Sequence, residues 1–334
     1  MNEKIKGALV PLGTKWHSAQ RNNTVLNFDE NVWRDMTDVM VEEGLNTLFV
    51  DIHEGLHYGS HPELAVDGAW TRQKMRKEIA RLKEMGITLV PKLNFSACHD
   101  YWLCEYRMMR STKEYYRVCR ELIMEVSALF PDSPYFNIGM DEEDALHVAG
   151  EEHCAFRQGK LLWHDMQFLA DCVRDCGKTP IIWGSKILPL YEEFKANIST
   201  DDLLIGMSYY HGVKEEHWTK TDSREDYYKY YFVNGHYVGQ NMQYIERDDP
   251  FYIRFRNLAK QVALDGYDVF LNVSNFYRHP HNADDVVDMM VNEWPGERVK
   301  GIITSMWYPT IEKHRDNNIT GIKLLGEALR KYNY

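Results

Sequence analysis

The sequence predicts a single (β/α)8 barrel spanning residues 1–334, on three observations. Short apolar strands alternate with helical stretches eight times within 334 residues, an ordinary length for one such barrel. No linker, low-complexity segment or short-period repeat divides the chain. Polar and aromatic residues collect just past the strands, at the end where a parallel barrel builds its sites. A doubly wound sheet fits less well. Pro11-Leu12-Gly13 is a poor substitute for a glycine-rich phosphate turn, and neither a Walker motif nor a zinc-protease motif is present.

The elements follow in order. Residues 8–13 are the candidate first strand. Residues 31–43 have helical spacing (Val32, Met36, Val39, Met40) and end at Gly44, a C-terminal cap. A second strand covers 46–53, followed by a loop rich in His, Gly and Pro. An amphipathic helix over 71–85 closes on Gly86. The third strand is 87–95. Thr112 caps a helix running to about residue 130. The stretch 135–144 begins as the fourth strand, which ends at Asp141 and Glu142; 161–176 is a helix, 179–183 the fifth strand and 203–210 the sixth. Residues 215–249, dense in Tyr and charge, are hard to read and hold one strand-like piece at 236–240. Helix 250–264, strand 269–273, helix 284–292, strand 301–307 and helix 319–332 complete the chain.

Composition narrows the partners. A formal net charge of −11 argues against nucleic acid or an anionic membrane surface. The first residues lack the apolar stretch of a signal peptide, and no apolar run spans a bilayer. Six cysteines in a chain this long are not a disulfide scaffold. They read as reduced thiols, and the expected compartment is the cytoplasm, although an exported chain stripped of its signal would look the same. The Tyr-rich run 226–231 reads as a helix face or an oligomer contact, which leaves a homo-oligomer open.

The organising stretch is Tyr135-Phe136-Asn137-Ile138-Gly139-Met140-Asp141-Glu142-Glu143-Asp144. It begins as a strand and ends in four consecutive acids, on the loop where a barrel binds its ligand. Adjacent carboxylates repel, so one should hold its proton more tightly. A protonated acid beside an ionised neighbour is equipped for general acid catalysis. The other strand ends supply Asp51 and His53, Asn94 with His99, Trp183, Tyr209, Asn275 and Trp307. Acids flanked by flat aromatic rings, with amides and imidazoles to bond hydroxyls, describe a sugar site.

These residues resemble glycoside hydrolase family 20, the β-N-acetylhexosaminidases. The family signature after strand four is His-x-Gly-Gly-Asp-Glu, and here stands Asn137-Ile138-Gly139-Met140-Asp141-Glu142. His61-Pro62-Glu63-Leu64 resembles the segment after strand two, and Pro91-Lys92-Leu93-Asn94 leading to Cys98-His99 resembles the one after strand three. Ile182-Trp183 and Gly301-Ile302-Ile303 through Trp307 resemble strands five and eight. The likeness covers roughly residues 46–307, and the Asp-Glu pair with its glycine is its most specific part.

The resemblance implies hydrolysis of terminal β-linked N-acetylhexosamine by substrate-assisted retaining catalysis. It implies Glu142 as general acid and base, and Asp141 as the carboxylate that orients the substrate's 2-acetamido group. Trp183, Trp307 and Tyr209 are then sugar-facing aromatics, with His99 and Asn275 as polar contacts and no cofactor. The seventh strand offers no carboxylate at its end, which disfavours a covalent double displacement. Asn137 replaces the family's His, Met140 its second Gly, and Lys92 an acid. Met140 is expected to leave the pocket narrower or differently shaped, and Glu143 and Asp144 to be solvated or helix-capping.

Bland readings stand beside these. Trp183 and Trp307 could be barrel core, and His99 a loop histidine bonding a carbonyl. Asp51, His53, His57 and His61 have spacings a metal could use, yet loop histidines so spaced are usually not ligands, and no metal is expected. The alternatives are a glycosidase of the same fold with a different sugar preference, a carbohydrate-binding barrel without turnover, and a metal-dependent barrel enzyme.

Overall fold

The computed structural model describes residues 3–16, 20–143, 155–185, 187, 190–209, 232–233, 236–237, 251–275 and 280–334. Its strands are β1 (Ile5–Pro11), β2 (Thr47–Asp51), β3 (Thr88–Lys92), β4 (Tyr135–Gly139), β5 (Thr179–Trp183), β6 (Leu204–Tyr209), β7 (Asp268–Val273) and β8 (Val299–Ser305). Each is followed by a helix: α1 (Glu30–Glu42), α2 (Arg72–Glu84), α3 (Lys113–Leu129), α4 (Gly159–Asp175), α5 (Tyr191–Asn197), α6 (Phe251–Leu264), α7 (Asn282–Glu293) and α8 (Arg315–Lys331). The strands pair in parallel and close in the order β1-β8-β7-β6-β5-β4-β3-β2, a (β/α)8 barrel. A short antiparallel pair joins Phe232–Val233 to His236–Tyr237.

The helices start and stop where the sequence provides for it. Asp29 accepts from the backbone of Asn31 and Val32, Thr71 from Lys74 and Thr112 from Tyr115. Gly44 and Gly86 take the left-handed conformation that ends α1 and α2.

Strand alternation splits the core in two. Leu9, Phe49, Val90, Ile181, Phe270 and Ile303 point inward and fill the barrel. Their neighbours, such as Val10, Leu48, Leu89, Ile182 and Leu271, point outward and pack under the helices. The uppermost inward layer is polar: Asp51, Lys92, Asn137, Asn272 and Ser305 are all buried. That layer is the floor of the mouth.

Several sequence expectations shift. The first strand begins at Ile5; Leu12 and Gly13 form a bend whose amides donate to the Asp51 carbonyl. Helix α5 is an addition, too short at seven residues to show a period. Helix α8 starts at Arg315, one turn before the expected residue 319. Among the described residues, no helix is long and apolar enough to cross a membrane, and Cys98, Cys104, Cys119, Cys172 and Cys176 are unbridged.

Candidate active site

The backbone at the end of β4 departs from strand geometry, and that departure makes the site. The register of β4 against β5 shifts between Asn137 and Gly139. Gly139, Met140 and Glu142 all have positive φ, at 75°, 62° and 40°. Such values in non-glycine residues are strained and cluster where surrounding structure holds a functional geometry. Simple alternation would turn Asp141 and Glu142 to opposite faces. The left-handed residues break it, and both carboxylates reach the β3–β4 loop. Gly139 is required twice over: a Cβ there would lie 1.9 Å from Asn94 Oδ1.

The two acids have unlike surroundings. Asp141 is 9% exposed, and its Oδ1 accepts from Asn94 Nδ2 at 2.9 Å and from Ser96 Oγ at 3.1 Å. Burial alone would raise its pKa, but the His99 imidazole, the Lys92 ammonium and the Asn94 amide hold it well below the usual carboxylate range. Asp141 is therefore a fixed carboxylate. The Glu142 side chain is 35% exposed, with His99 Nε2 at 3.1 Å from Oε2. Cys98 donates its S–H to the same oxygen at 3.3 Å. His99 thus stands between the acids, its Nδ1 3.4 Å from Asp141 and 2.8 Å from Asn94 Nδ2. Burial disfavours its charge, but Cys98, Asp141 and Glu142 together raise its pKa well above the ordinary histidine value.

Behind the pair lies a buried ionic cluster on the barrel floor. Lys92 bonds Asp51, and His53 Nε2 lies 2.8 Å from the other Asp51 oxygen. His53 stacks on Trp102 with ring centroids 5.4 Å apart, and its Nε2 accepts from the Asn94 amide at 3.1 Å. The cluster thereby steadies Asn94, the residue that steadies Asp141.

Aromatic rings line the mouth beside them. Trp307, another positive-φ residue, lies 6.1 Å from Trp183 and 5.9 Å from Trp16 between ring centroids. Trp16 in turn meets the His99 ring at 6.3 Å. One chain of contacts therefore links β1, β3, β5 and β8 across the mouth, and brings Asp141, Glu142, His99, Trp183 and Trp307 together. Trp183 is 2% exposed and also packs on Phe270 inside the barrel, so it combines the core role with a place on the floor. Trp16 was missed by the sequence reading. It sits on the first strand's C-terminal loop, so the strand-end rule could have found it.

Other sequence-predicted residues fall elsewhere. Asn275 donates to the Asn317 carbonyl at 2.8 Å and ties the β7 loop to α8, away from the carboxylates. Phe270 points into the barrel and Leu271 and Val273 outward, so an odd-numbered residue here belongs to the outer face. Tyr209 ends β6 opposite Val273; its side chain lies outside the described residues. So do Asp144, the run 226–231 and the polar residues that follow strands five, six and seven in the sequence, Lys186, Tyr210, His211 and Tyr277.

Two expectations are corrected. Met140 does not narrow the mouth, because its fully buried side chain packs in the outer core. Glu143 is neither solvated nor capping: it is fully buried, and its carboxylate accepts from the backbone amides of Ala97 and Arg157, both at 2.7 Å, and pairs with the Arg157 guanidinium. The histidines considered for a metal have three separate surroundings. His53 is buried against Trp102, His57 is exposed, and His61 bonds Glu63 and Glu121. Asp268, the acid of β7, stands at the strand's opposite end with Arg298 and Lys300.

The fold has counterparts among solved structures. A β-N-acetylhexosaminidase from Bacteroides fragilis superposes with a TM-score of 0.64 at 13% identity, over 98% of this chain and 65% of that one. A chitobiase from Flavobacterium johnsoniae gives 0.60 at 17% identity, over 99% and 50%. A family 20 exo-β-N-acetylglucosaminidase from Vibrio harveyi, in complex with N-acetylglucosamine, gives 0.58 at 14% identity, over 99% and 58%. The chain has the fold of these barrels. It spans half to two thirds of their length, and at such identity the likeness is one of fold. Neither the protein-family models nor the curated proteins match the sequence.

Proposed function

We propose that this barrel hydrolyses terminal β-linked N-acetylhexosaminides, with the substrate's own acetamide as nucleophile. The observation that carries the reading is the contrast within one pair of neighbours. Asp141 is buried and held ionised, and Glu142 is partly exposed at the mouth beside a histidine. Glu142 delivers its proton to the glycosidic oxygen as the C1–O bond breaks. The acetamido carbonyl oxygen attacks C1 from the other face and closes a five-membered oxazolinium ring. Asp141 accepts the acetamide N–H and stabilises the positive charge that grows there. Water then opens the ring, giving a proton back to Glu142, with net retention at C1. His99 positions Glu142, and Trp183, Trp307 and Tyr209 are the aromatic surfaces for the sugar.

The lack of a carboxylate at the C-terminal end of β7 supports this route over a covalent glycosyl-enzyme, which needs two enzyme carboxyls about 5–5.5 Å apart. The titratable neighbours of Asp141 also fit an orienting group better than a proton donor.

A second reading, a same-fold glycosidase with another sugar preference, has one observation in its favour. Gly184 follows Trp183, where the resemblance expects an acid for a sugar hydroxyl, and a Cβ at Gly184 would meet Met207 Sδ at 2.5 Å. Chromogenic N-acetyl-β-glucosaminide, its galacto epimer and the unacetylated β-glucoside decide between them. The proposal expects cleavage of one or both acetylated substrates and none of the third. Cleavage of the unacetylated glucoside at a comparable rate would overturn it.

A further inference from the structure

Substrate-assisted hydrolysis has no use for a thiol, yet Cys98 points its sulfur at the proposed acid. Three different metal-binding groups meet there. Cys98 Sγ is 3.3 Å and His99 Nε2 3.1 Å from the same oxygen of Glu142, and the three ligand atoms all lie within 4.8 Å of one another. A tetrahedral zinc ion, with bonds of about 2.3 Å to sulfur and about 2.0–2.1 Å to nitrogen and oxygen, spaces its ligand atoms roughly 3.3–3.6 Å apart. The two spacings to Glu142 lie a few tenths of an ångström inside these, and the sulfur–nitrogen pair, within 4.8 Å, would draw together around the ion.

The loop after β3 builds this convergence. The His99 amide donates to the Ser96 carbonyl at 3.0 Å, a turn that brings consecutive residues 98 and 99 to one carboxylate. Asp141 Oδ1 lies 3.4 Å from the other imidazole nitrogen, a carboxylate placed where an outer acceptor fixes a ligating histidine's ring. The Glu142 side chain is 35% exposed, so the site lies within reach of solvent. A thiolate in the set favours zinc and similarly soft ions over magnesium or calcium.

We infer that Cys98, His99 and Glu142 form a zinc-binding site that competes with catalysis by occupying the acid's oxygen. On binding, the Cys98 thiol proton and any proton on His99 Nε2 pass to solvent as the sulfur and the nitrogen bond the metal, with no change of oxidation state. The inhibitory consequence rests on the reading of Glu142 as the acid; the binding itself does not.

The test is Co2+ added to the metal-free full chain. One equivalent should give the visible absorption of a tetrahedral ion and a near-ultraviolet thiolate-to-cobalt charge-transfer band, both abolished by Zn2+. Cys98→Ala should remove the charge-transfer band and weaken binding by more than about tenfold, while Cys104→Ser should keep both. A weak octahedral spectrum, or the full spectrum retained in Cys98→Ala, would overturn the site. Zn2+ should also inhibit hydrolysis reversibly, relieved by chelator. Tight binding without inhibition would overturn the competing role alone, and an inactive protein that still gives the cobalt spectrum would place the failure in the hydrolytic reading.

Discussion

Glu142 stands at the mouth with its side chain 35% exposed, whereas Glu143, one residue on, is fully buried behind the β3 loop. Glu142 meets a histidine and a thiol, and its backbone is held left-handed. Glu143 meets Arg157, which also bonds Asp165 Oδ2 at 2.7 Å, the Phe95 carbonyl at 3.1 Å and the Tyr115 hydroxyl at 2.7 Å. On the proposed reading, the same side chain serves chemistry in one place and architecture in the next. What separates them is enclosure: Arg157 and two backbone amides surround the buried Glu143 carboxylate, and Glu142 is partly exposed at the mouth. An enclosed carboxylate is locked, and a partly exposed one can be reached by a substrate.

This contrast can be broken from either side. Glu142→Gln keeps the shape and removes the proton, so turnover of an N-acetylhexosaminide should fall by about 10²–10⁴-fold with the thermal midpoint essentially unchanged. Asp141→Asn should cost roughly 10²–10³-fold in kcat, as loss of one preorganised electrostatic contact does. Its effect should appear on acetylated substrates, read by steady-state kinetics. Arg157→Met should act in the opposite sense. It strands two buried carboxylates and should lower stability by about 3–5 kcal/mol in denaturant unfolding, with residual activity tracking the folded fraction.

Acid sharpens the same comparison. Burial would raise the Asp165 pKa, but Arg157 and the hydroxyls of Tyr116 and Ser111 bring it below the ordinary value. A carboxylate depressed in the folded state contributes stability above its unfolded pKa of about 3.9, and loses it as pH falls through the folded pKa. The thermal midpoint should therefore drop below about pH 4, and drop less steeply in Arg157→Met.

Most of the fold was legible because strand and helix periods are local properties. The eight alternations and the caps at Thr71, Thr112, Gly44 and Gly86 all follow from nearby residues. Helix α5 was lost because its buried face consists of Tyr191 and Phe194 alone. The site was legible as a set of strand ends, and Asp141, Glu142, His99, Trp183 and Trp307 do meet. Side-chain direction was harder. Met140 and Asn275 turn away from the mouth because of strand phase, which a sequence without known strand ends does not fix. Glu143 was misread because its partner Arg157 lies fourteen residues away, beyond any local pattern.

The central claim is that Asp141 steers a substrate amide while Glu142 moves the proton. Hydrolysis rates for aryl N-acetyl-β-glucosaminides with none, one, two or three fluorines on the acetyl group test it most directly. The account predicts a steep fall with each fluorine, because the carbonyl oxygen becomes a poorer nucleophile. A rate indifferent to fluorination would contradict it and assign the attack to another group.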